Sequence, residues 1–262
     1  MVELDRIYNE DCLIGMQRIP DGSVDCIICD LPYGVLNKTS EGGSWDSIIP
    51  LEPLWEQYLR IAKPNAAIIL FCQGMFTVQL MMSQPKLWRY NLIWDKKRAT
   101  GFLNAYKMPL RYHEDIAVFY RKQPTYNPQM EELNGRERSH SQGKGVHADT
   151  NRCYGDIDRF QAYEPKPENI DKKFPRSIIE IKREHDGNQF HPTQKPVDLI
   201  RYLIATYSNE GDTILDNCIG SGTTAVACIK EKRHFIGFEL NTEYYDKACE
   251  RIWNEQRHLT LF

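Results

Sequence analysis

The sequence predicts an α/β fold: a doubly wound, mostly parallel sheet with helices on both faces. Three observations carry that expectation. Short, continuously apolar runs recur along the 262 residues, amphipathic stretches separate most of them, and a glycine-rich turn follows one of the last runs. Strands apolar at nearly every position need cover on both faces, and crossover helices supply it.

Arg6–Tyr8 is the first short run, and Glu10-Asp11-Cys12 follows it. Asp11 is either the cap of a helix over 12–19 or a carboxylate on the rim of a site. Residues 24–29 form the second run and end in Asp30-Leu31-Pro32-Tyr33-Gly34. Leu51–Ile61 reads as a helix with Leu54, Tyr58 and Ile61 on one face, stopping before Pro64. Strands are expected at 66–71, 90–94 and 116–120. A second helical stripe joins Val197, Ile200, Leu203, Ile204 and Tyr207. Strand 213–215 then leads into Asp216 and the turn Asn217 to Ala225, strand 235–238 ends at Glu239, and Asn241 caps a last helix carrying Tyr245, Ala248, Cys249 and Ile252.

From 123 to 186 the texture changes to frequent Pro, Gly, Asn and mixed charge with little apolar period, which marks an irregular insertion. The chain therefore divides into 1–122, an inserted region 123–186, and 187–262, the outer segments completing one domain. No fixed-period repeat is visible.

Composition narrows the class. Hydrophobic residues make up 41% and charged residues 26%, and no apolar run reaches the roughly 18 to 20 residues of a membrane span. The amino terminus lacks a secretory pattern, so a soluble, cytoplasmic protein is expected. The eight cysteines, Cys12, Cys26, Cys29, Cys72, Cys153, Cys218, Cys228 and Cys249, lie mostly in apolar segments, as free thiols do. Cys26 and Cys29 have half the spacing of a zinc site, but in a strand they point to opposite faces and no second pair follows, so no metal is expected. A net charge of −3 does not advertise a nucleic-acid partner. Any such contact needs a local patch, and Lys96, Lys97, Arg98, Lys107 and Arg111, interleaved with Phe102, Tyr106 and Tyr112, offer one. A plain solvated basic loop is the other reading.

Two constellations carry chemistry. Asp30, Pro32 and Tyr33 place a carboxylate, a turned backbone carbonyl and an aromatic plane at one strand end, a set able to hold a flat base by its amine; a plain Asp-Pro turn would look the same. Later, Asp216, the turn through Gly220, Ser221 and Gly222 into Thr223, and Glu239 at the next strand end suit a nucleoside cofactor. Glycine lets the backbone approach a ligand, and a strand-end carboxylate can accept ribose hydroxyls. The same glycines satisfy a dinucleotide fingerprint, which keeps an NAD-dependent oxidoreductase as an alternative. Only one helix, one strand and a final helix remain after Gly222, too few for a dinucleotide half. The neighbouring strands must come from earlier in the chain, so the fold is circularly ordered. Loops at the carboxyl ends of its strands share one crevice, where the two constellations can meet.

Together, Asp30-Leu31-Pro32-Tyr33, His191-Pro192-Thr193-Gln194-Lys195-Pro196 and the stretch from Asp216 to Gly222 resemble the signature set of the DNA amino-methyltransferases, in the order of their beta group. The resemblance implies a fold of the S-adenosylmethionine-dependent methyltransferase type, S-adenosylmethionine as cofactor, double-stranded DNA as partner, the insertion as target-recognition region, and a homodimer as one assembly the group uses. Carried over position by position, it makes Asp30, Pro32 and Tyr33 the amine-activating and base-stacking residues. It assigns Asp216, Gly220, Ser221, Gly222, Thr223, Glu239 and Leu240 to the cofactor, with Asp11 and Cys12 near its adenine. His191, Thr193 and Lys195 fall to its methionine end, and Asp30 borders it. Leu31 replaces the commoner second proline, at a position that contributes a backbone carbonyl. Asp at position 30 resembles adenine-N6 enzymes more than cytosine-N4 enzymes, which remain the alternative. A non-catalytic DNA-binding module is the reading from another class.

Overall fold

The structure is a computed structural model that describes residues 2–34, 47–133, 172–183 and 194–260. It divides into two compact units, one of Met1–Asn127 with Ser177–Phe262, the other Pro128–Arg176. Of the second unit, a two-stranded antiparallel ribbon, β6 (Glu131–Glu132) with β7 (Lys172–Lys173), is described.

The first unit is built on an eight-stranded sheet among the described residues. In chain order its strands are β1 (Arg6–Tyr8), β2 (Val24–Asp30), β3 (Ala62–Cys72), β4 (Trp88–Thr100), β5 (Arg111–Phe119), β8 (Ile178–Glu180), β9 (Thr213–Asp216) and β10 (His234–Phe238). The spatial order is β1-β10-β9-β2-β3-β5-β4-β8. From β1 to β3 every pairing is parallel; β5 runs antiparallel to both β3 and β4. The first strand of the chain pairs with the last, the circular order expected from the late glycine turn.

Helices α1 (Cys12–Met16), α2 (Leu51–Ile61), α3 (Met75–Ser83), α4 (Val197–Tyr207), α5 (Thr223–Lys230) and α6 (Thr242–Thr260) accompany the sheet. Strand alternation sorts the core into two clusters. Cys26, Ile28, Ile69 and Phe71 pack with Leu199, Leu203 and Phe235, whereas Ile27, Cys29, Ile68 and Leu70 pack with Leu54, Trp55 and Tyr58. Cys26 and Cys29 thus face opposite sides, and burial pushes both thiols up, Cys29 to about 12.

Helix α2 has the bounds expected from its apolar stripe, with Leu54, Trp55, Tyr58 and Ile61 buried. Pro64 does not open a loop; it lies within β3, in the register shift where Val24 pairs with Ala62 and Cys26 next pairs with Ala67, so its missing N–H leaves no ladder bond unmade. Ile178–Glu180, inside the expected insertion, joins the main sheet beside β4: Ile179 is buried and Trp94 Nε1 donates to the Ile181 carbonyl at 2.8 Å. Among the described residues, no helix is long and apolar enough to cross a membrane.

Candidate active site

A cavity of about 780 Å³ opens at the carboxyl ends of the parallel strands. Strand ends place its carboxylates. Asp30 closes β2, Asp216 closes β9, and Glu239 follows β10, so the sheet delivers three acids from distant parts of the chain to one crevice.

On one side, Asp30, Leu31, Pro32 and Tyr33 line the wall as expected. The Tyr33 hydroxyl donates to Asp30 Oδ1 at 2.6 Å, and its ring lies against Phe76 with centroids 5.3 Å apart. Lys195 Nζ reaches Asp30 Oδ2 at 2.5 Å and stands 5.0 Å from the Phe71 ring centroid. Enclosure holds the Asp30 carboxyl above its ordinary range, against the pull of Lys195.

On the other side the glycine turn enters α5. Gly220 N–H donates to Glu239 Oε2 at 2.9 Å and Asn241 N–H to Oε1 at 2.8 Å, which fixes that carboxylate at the rim. Asp216 accepts from the Thr224 hydroxyl at 2.5 Å and the Cys218 N–H at 3.1 Å, and burial pushes it up to about 6. Gly220, Ser221, Thr223, Leu240, Asp11 and Cys12 all line the cavity. The Ser221 and Thr223 hydroxyls lie 3.0 Å apart and Arg251 donates to Thr223 Oγ1 at 3.0 Å, so both hydroxyls are already engaged within the protein.

The structure adds detail to several of the expected residues. Asp11 caps α1, accepting from Leu13 N–H at 2.8 Å and Ile14 N–H at 3.2 Å; the cap and the rim position coexist. Gly222 is not among the lining residues. Its φ of +75° makes the turn, and a Cβ there would lie 3.2 Å from the Ala248 Cβ of α6, so close helix packing explains the glycine. Lys195, expected at the methionine end of a cofactor, lines the cavity with its ammonium between Asp30 and Glu114. His191 and Thr193 lie outside the described residues.

The basic patch requires a correction. Lys96 is 3% exposed and pairs with Glu114 at 3.3 Å, so it contributes no surface charge: strand alternation turns it inward. Lys97 is exposed but held by Asp95 at 3.2 Å and Glu180 at 2.6 Å. Arg98, Lys107 and Arg111 are exposed around the tip of the β4–β5 hairpin, alongside Phe102, Leu103, Tyr106 and Tyr112.

Sequence reasoning missed Trp94, Glu114, Arg183, Gln194, Asn217 and Tyr244, all of which line the cavity. Glu114 is enclosed, yet the ammoniums of Lys195 and Lys96 outweigh burial and hold its carboxyl below the ordinary range. Gln194 Oε1 is a buried acceptor with no hydrogen-bond partner among the described residues. A glutamine in the motif His191 to Pro196 was the available signal for it.

Comparison with known proteins fits this geometry. A family model described as DNA methylase, for N6 and N4 enzymes, matches residues 24–250. The DNA adenine methyltransferase YhdJ of Escherichia coli (strain K12) is 27% identical over 270 residues, covering 95% of this chain and 83% of its own length. Among solved structures, the M1.HpyAVI–SAM complex aligns with a TM-score of 0.59 at 21% identity, covering 94% of this chain and 98% of its own. The cytosine-N4-specific PvuII DNA methyltransferase aligns with a TM-score of 0.64 at 14% identity, covering 95% and 90%.

Proposed function

The chain belongs to the N6/N4 DNA methylase family, and on that premise we propose that it methylates the N6 amine of an adenine turned out of duplex DNA. The observation that carries this reading is the continuity of one cavity between Asp30 and the Gly220 turn: an amine acceptor and a nucleoside-type pocket share a single open crevice.

S-adenosylmethionine is the cofactor, and when bound it supplies a methyl group on a sulfonium, a strong electrophile. The donor set fits it. Gln194 Oε1 is a buried acceptor awaiting a donor such as an amino group, Glu239 is fixed at the rim with lone pairs to spare for hydroxyls, and Asp11 stands on the same wall.

The chain's own residues do the rest. A base amine is a poor nucleophile because its lone pair is delocalised into the ring. Asp30 and the carbonyl of Leu31 or Pro32 accept its two hydrogens, which localises the lone pair and aims it along the line of displacement. Positive charge builds on the nitrogen as it attacks, and a fixed carboxylate favours that state over the ground state. Turning the base out costs a few kcal/mol, and stacking on Tyr33 returns roughly 1 to 3 kcal/mol.

Adenine is the finer part of the proposal. Asp at position 30 and the likeness to an adenine methyltransferase favour it, while the structural likeness to a cytosine-N4 enzyme keeps N4 transfer as the alternative. The hairpin tip with Arg98, Lys107 and Arg111 is the proposed DNA contact. Nucleoside analysis of DNA incubated with the protein and tritiated S-adenosylmethionine tests the reaction and the base. Label in N6-methyladenine is expected, label in N4-methylcytosine alone would reassign the base, and Asp30→Ala should abolish transfer while retaining cofactor binding by calorimetry.

A further inference from the structure

The amine acceptor is already occupied. Asp30 Oδ1 takes the Tyr33 hydroxyl and Oδ2 takes the Lys195 ammonium, so a target amine must compete for a carboxylate whose charge is largely satisfied. Lys195 is buried with it, at 9% exposure, which removes water as an easy substitute partner.

A second carboxylate faces the same ammonium. Glu114 Oε2 lies 3.3 Å from Lys195 Nζ, within ion-pair distance, though the contact is not aligned as a hydrogen bond. Its other oxygen is held by Lys96 at 3.3 Å, which fixes the carboxylate in β5 from the opposite side. The cation is therefore aligned on one acid and poised beside another. Two acids and two ammoniums balance to neutrality, so moving Lys195 from one acid to the other changes no net charge in the site.

We propose that Glu114 is a positioning residue for methyl transfer: it draws the Lys195 ammonium off Asp30 when the target amine enters, so that Asp30 Oδ2 is free to accept the amine while Oδ1 keeps the Tyr33 hydroxyl. The proposal rests on the methyltransferase reading. Glu114 acts on Asp30 through Lys195, whose Nζ stands 3.3 Å from Glu114 Oε2. Without it, Lys195 has one buried carboxylate to satisfy and stays there, leaving the amine hydrogens a weaker acceptor. A hydrogen bond to a charged group is then missing from the transition state, a loss on the order of 10- to 100-fold in rate.

The test uses Glu114→Gln and the double variant Glu114→Gln with Lys96→Met, which removes both members of the Glu114–Lys96 pair and leaves no buried ammonium orphaned. The double variant is expected to keep cofactor affinity and KM for DNA, with single-turnover transfer reduced about 10- to 100-fold. A second arm needs no catalysis: carboxylate NMR titration of Asp30 in protein free of cofactor and DNA. The groups that bear on Asp30 are Lys195, Glu114 and Tyr33, with Asp216, Cys29 and Cys72 nearby. Losing Glu114 removes a like charge and leaves Lys195 wholly on Asp30, so the Asp30 titration and the acid limb of the rate profile should both move to lower pH. The titration reports the electrostatic linkage alone, and a merely structural role for Glu114 would show instead as weakened cofactor affinity or a raised KM for DNA alongside the lower rate. Wild-type transfer rate in the double variant, or an Asp30 titration that coincides with wild type, would overturn the proposal. Absence of methyl transfer in the wild-type protein would instead count against the methyltransferase reading, and the titration arm would still decide the Glu114–Lys195 linkage.

Discussion

Asp216 shows what a strand-end acid costs when the strand is central. It is 5% exposed and held up to about 6 by burial, which outweighs its bonds from Thr224 and Cys218. Its folded value lies above the ordinary carboxyl value of about 3.9. The folded protein therefore binds this proton more tightly than the unfolded chain, and the associated stability is present below pH about 4 and lost as pH rises through about 6. The span corresponds to roughly 2 to 3 kcal/mol at most. Asp216→Asn cannot titrate, so its melting temperature should fall behind wild type at pH 5 and close much of that gap at pH 7.5; a gap independent of pH would contradict the assignment. Asp30 repels Asp216, so the variant also lowers the Asp30 titration, and that smaller change adds to the difference. Acids of this kind were legible because each ends an apolar run just before a turn. Glu114 was not: it stands beside Asp115 at the mouth of a strand, and an acidic pair there reads as the strand's boundary. Only the register Trp94 with Glu114 shows that the strand continues past it into the crevice.

At the scale of elements, the β4–β5 hairpin is where charge and apolar exposure coincide. Leu103 is 99% exposed and Tyr106 fully so, on the turn Phe102–Asn104 and just after it, with Arg98, Lys107 and Arg111 around them. Cations that touch phosphate release counterions, so Arg98→Ala, Lys107→Ala and Arg111→Ala should each weaken DNA binding across sequences and reduce the slope of log K against log salt by about 0.9. Leu103→Ser with Tyr106→Ser should weaken binding while leaving that slope unchanged, because apolar contacts release no ions. Fluorescence anisotropy across a salt series separates the two effects, and unchanged affinity in every variant would remove the hairpin from the DNA interface. The tip residues were visible in sequence as a basic and aromatic run, but the inward turn of Lys96 was not, since a charge run carries no facing until its strand register is set. Helix α2 was readable because its apolar stripe is one-sided. Helix α3 was hidden because Met75, Val78 and Met82 are exposed while Phe76 and Leu80 are buried, which puts apolar residues on both faces and erases the period. Strand β8 was hidden by its setting, three residues inside a polar, proline-rich stretch.

Across the whole first unit, the site is a property of the circular order. β1 from the start of the chain pairs with β10 from its end, β10 pairs with β9, and β9 pairs with β2, so the strands that present Glu239, Asp216 and Asp30 are consecutive neighbours although Asp30 lies far along the chain from the other two. A ligand that bridges these strand ends ties together both termini of the unit, and its binding should stabilise global unfolding rather than one loop. At a hundredfold excess over its dissociation constant, such a ligand contributes about 2.7 kcal/mol. For a unit of this size that amounts to roughly 5 to 10 °C in melting temperature. S-adenosylmethionine is expected to give that shift and NAD none, because among the described residues Gly220 is the one glycine lining the cavity and no second nucleotide-binding turn accompanies it. Glu239→Ala should remove most of the shift, read against the variant's own ligand-free melting temperature, which should fall as well because the Gly220 and Asn241 N–H groups lose their acceptor. If calorimetry resolves separate transitions for the two units, only that of the unit containing the sheet should move; a shift confined to the other unit, or an equal response to NAD, would place the ligand elsewhere.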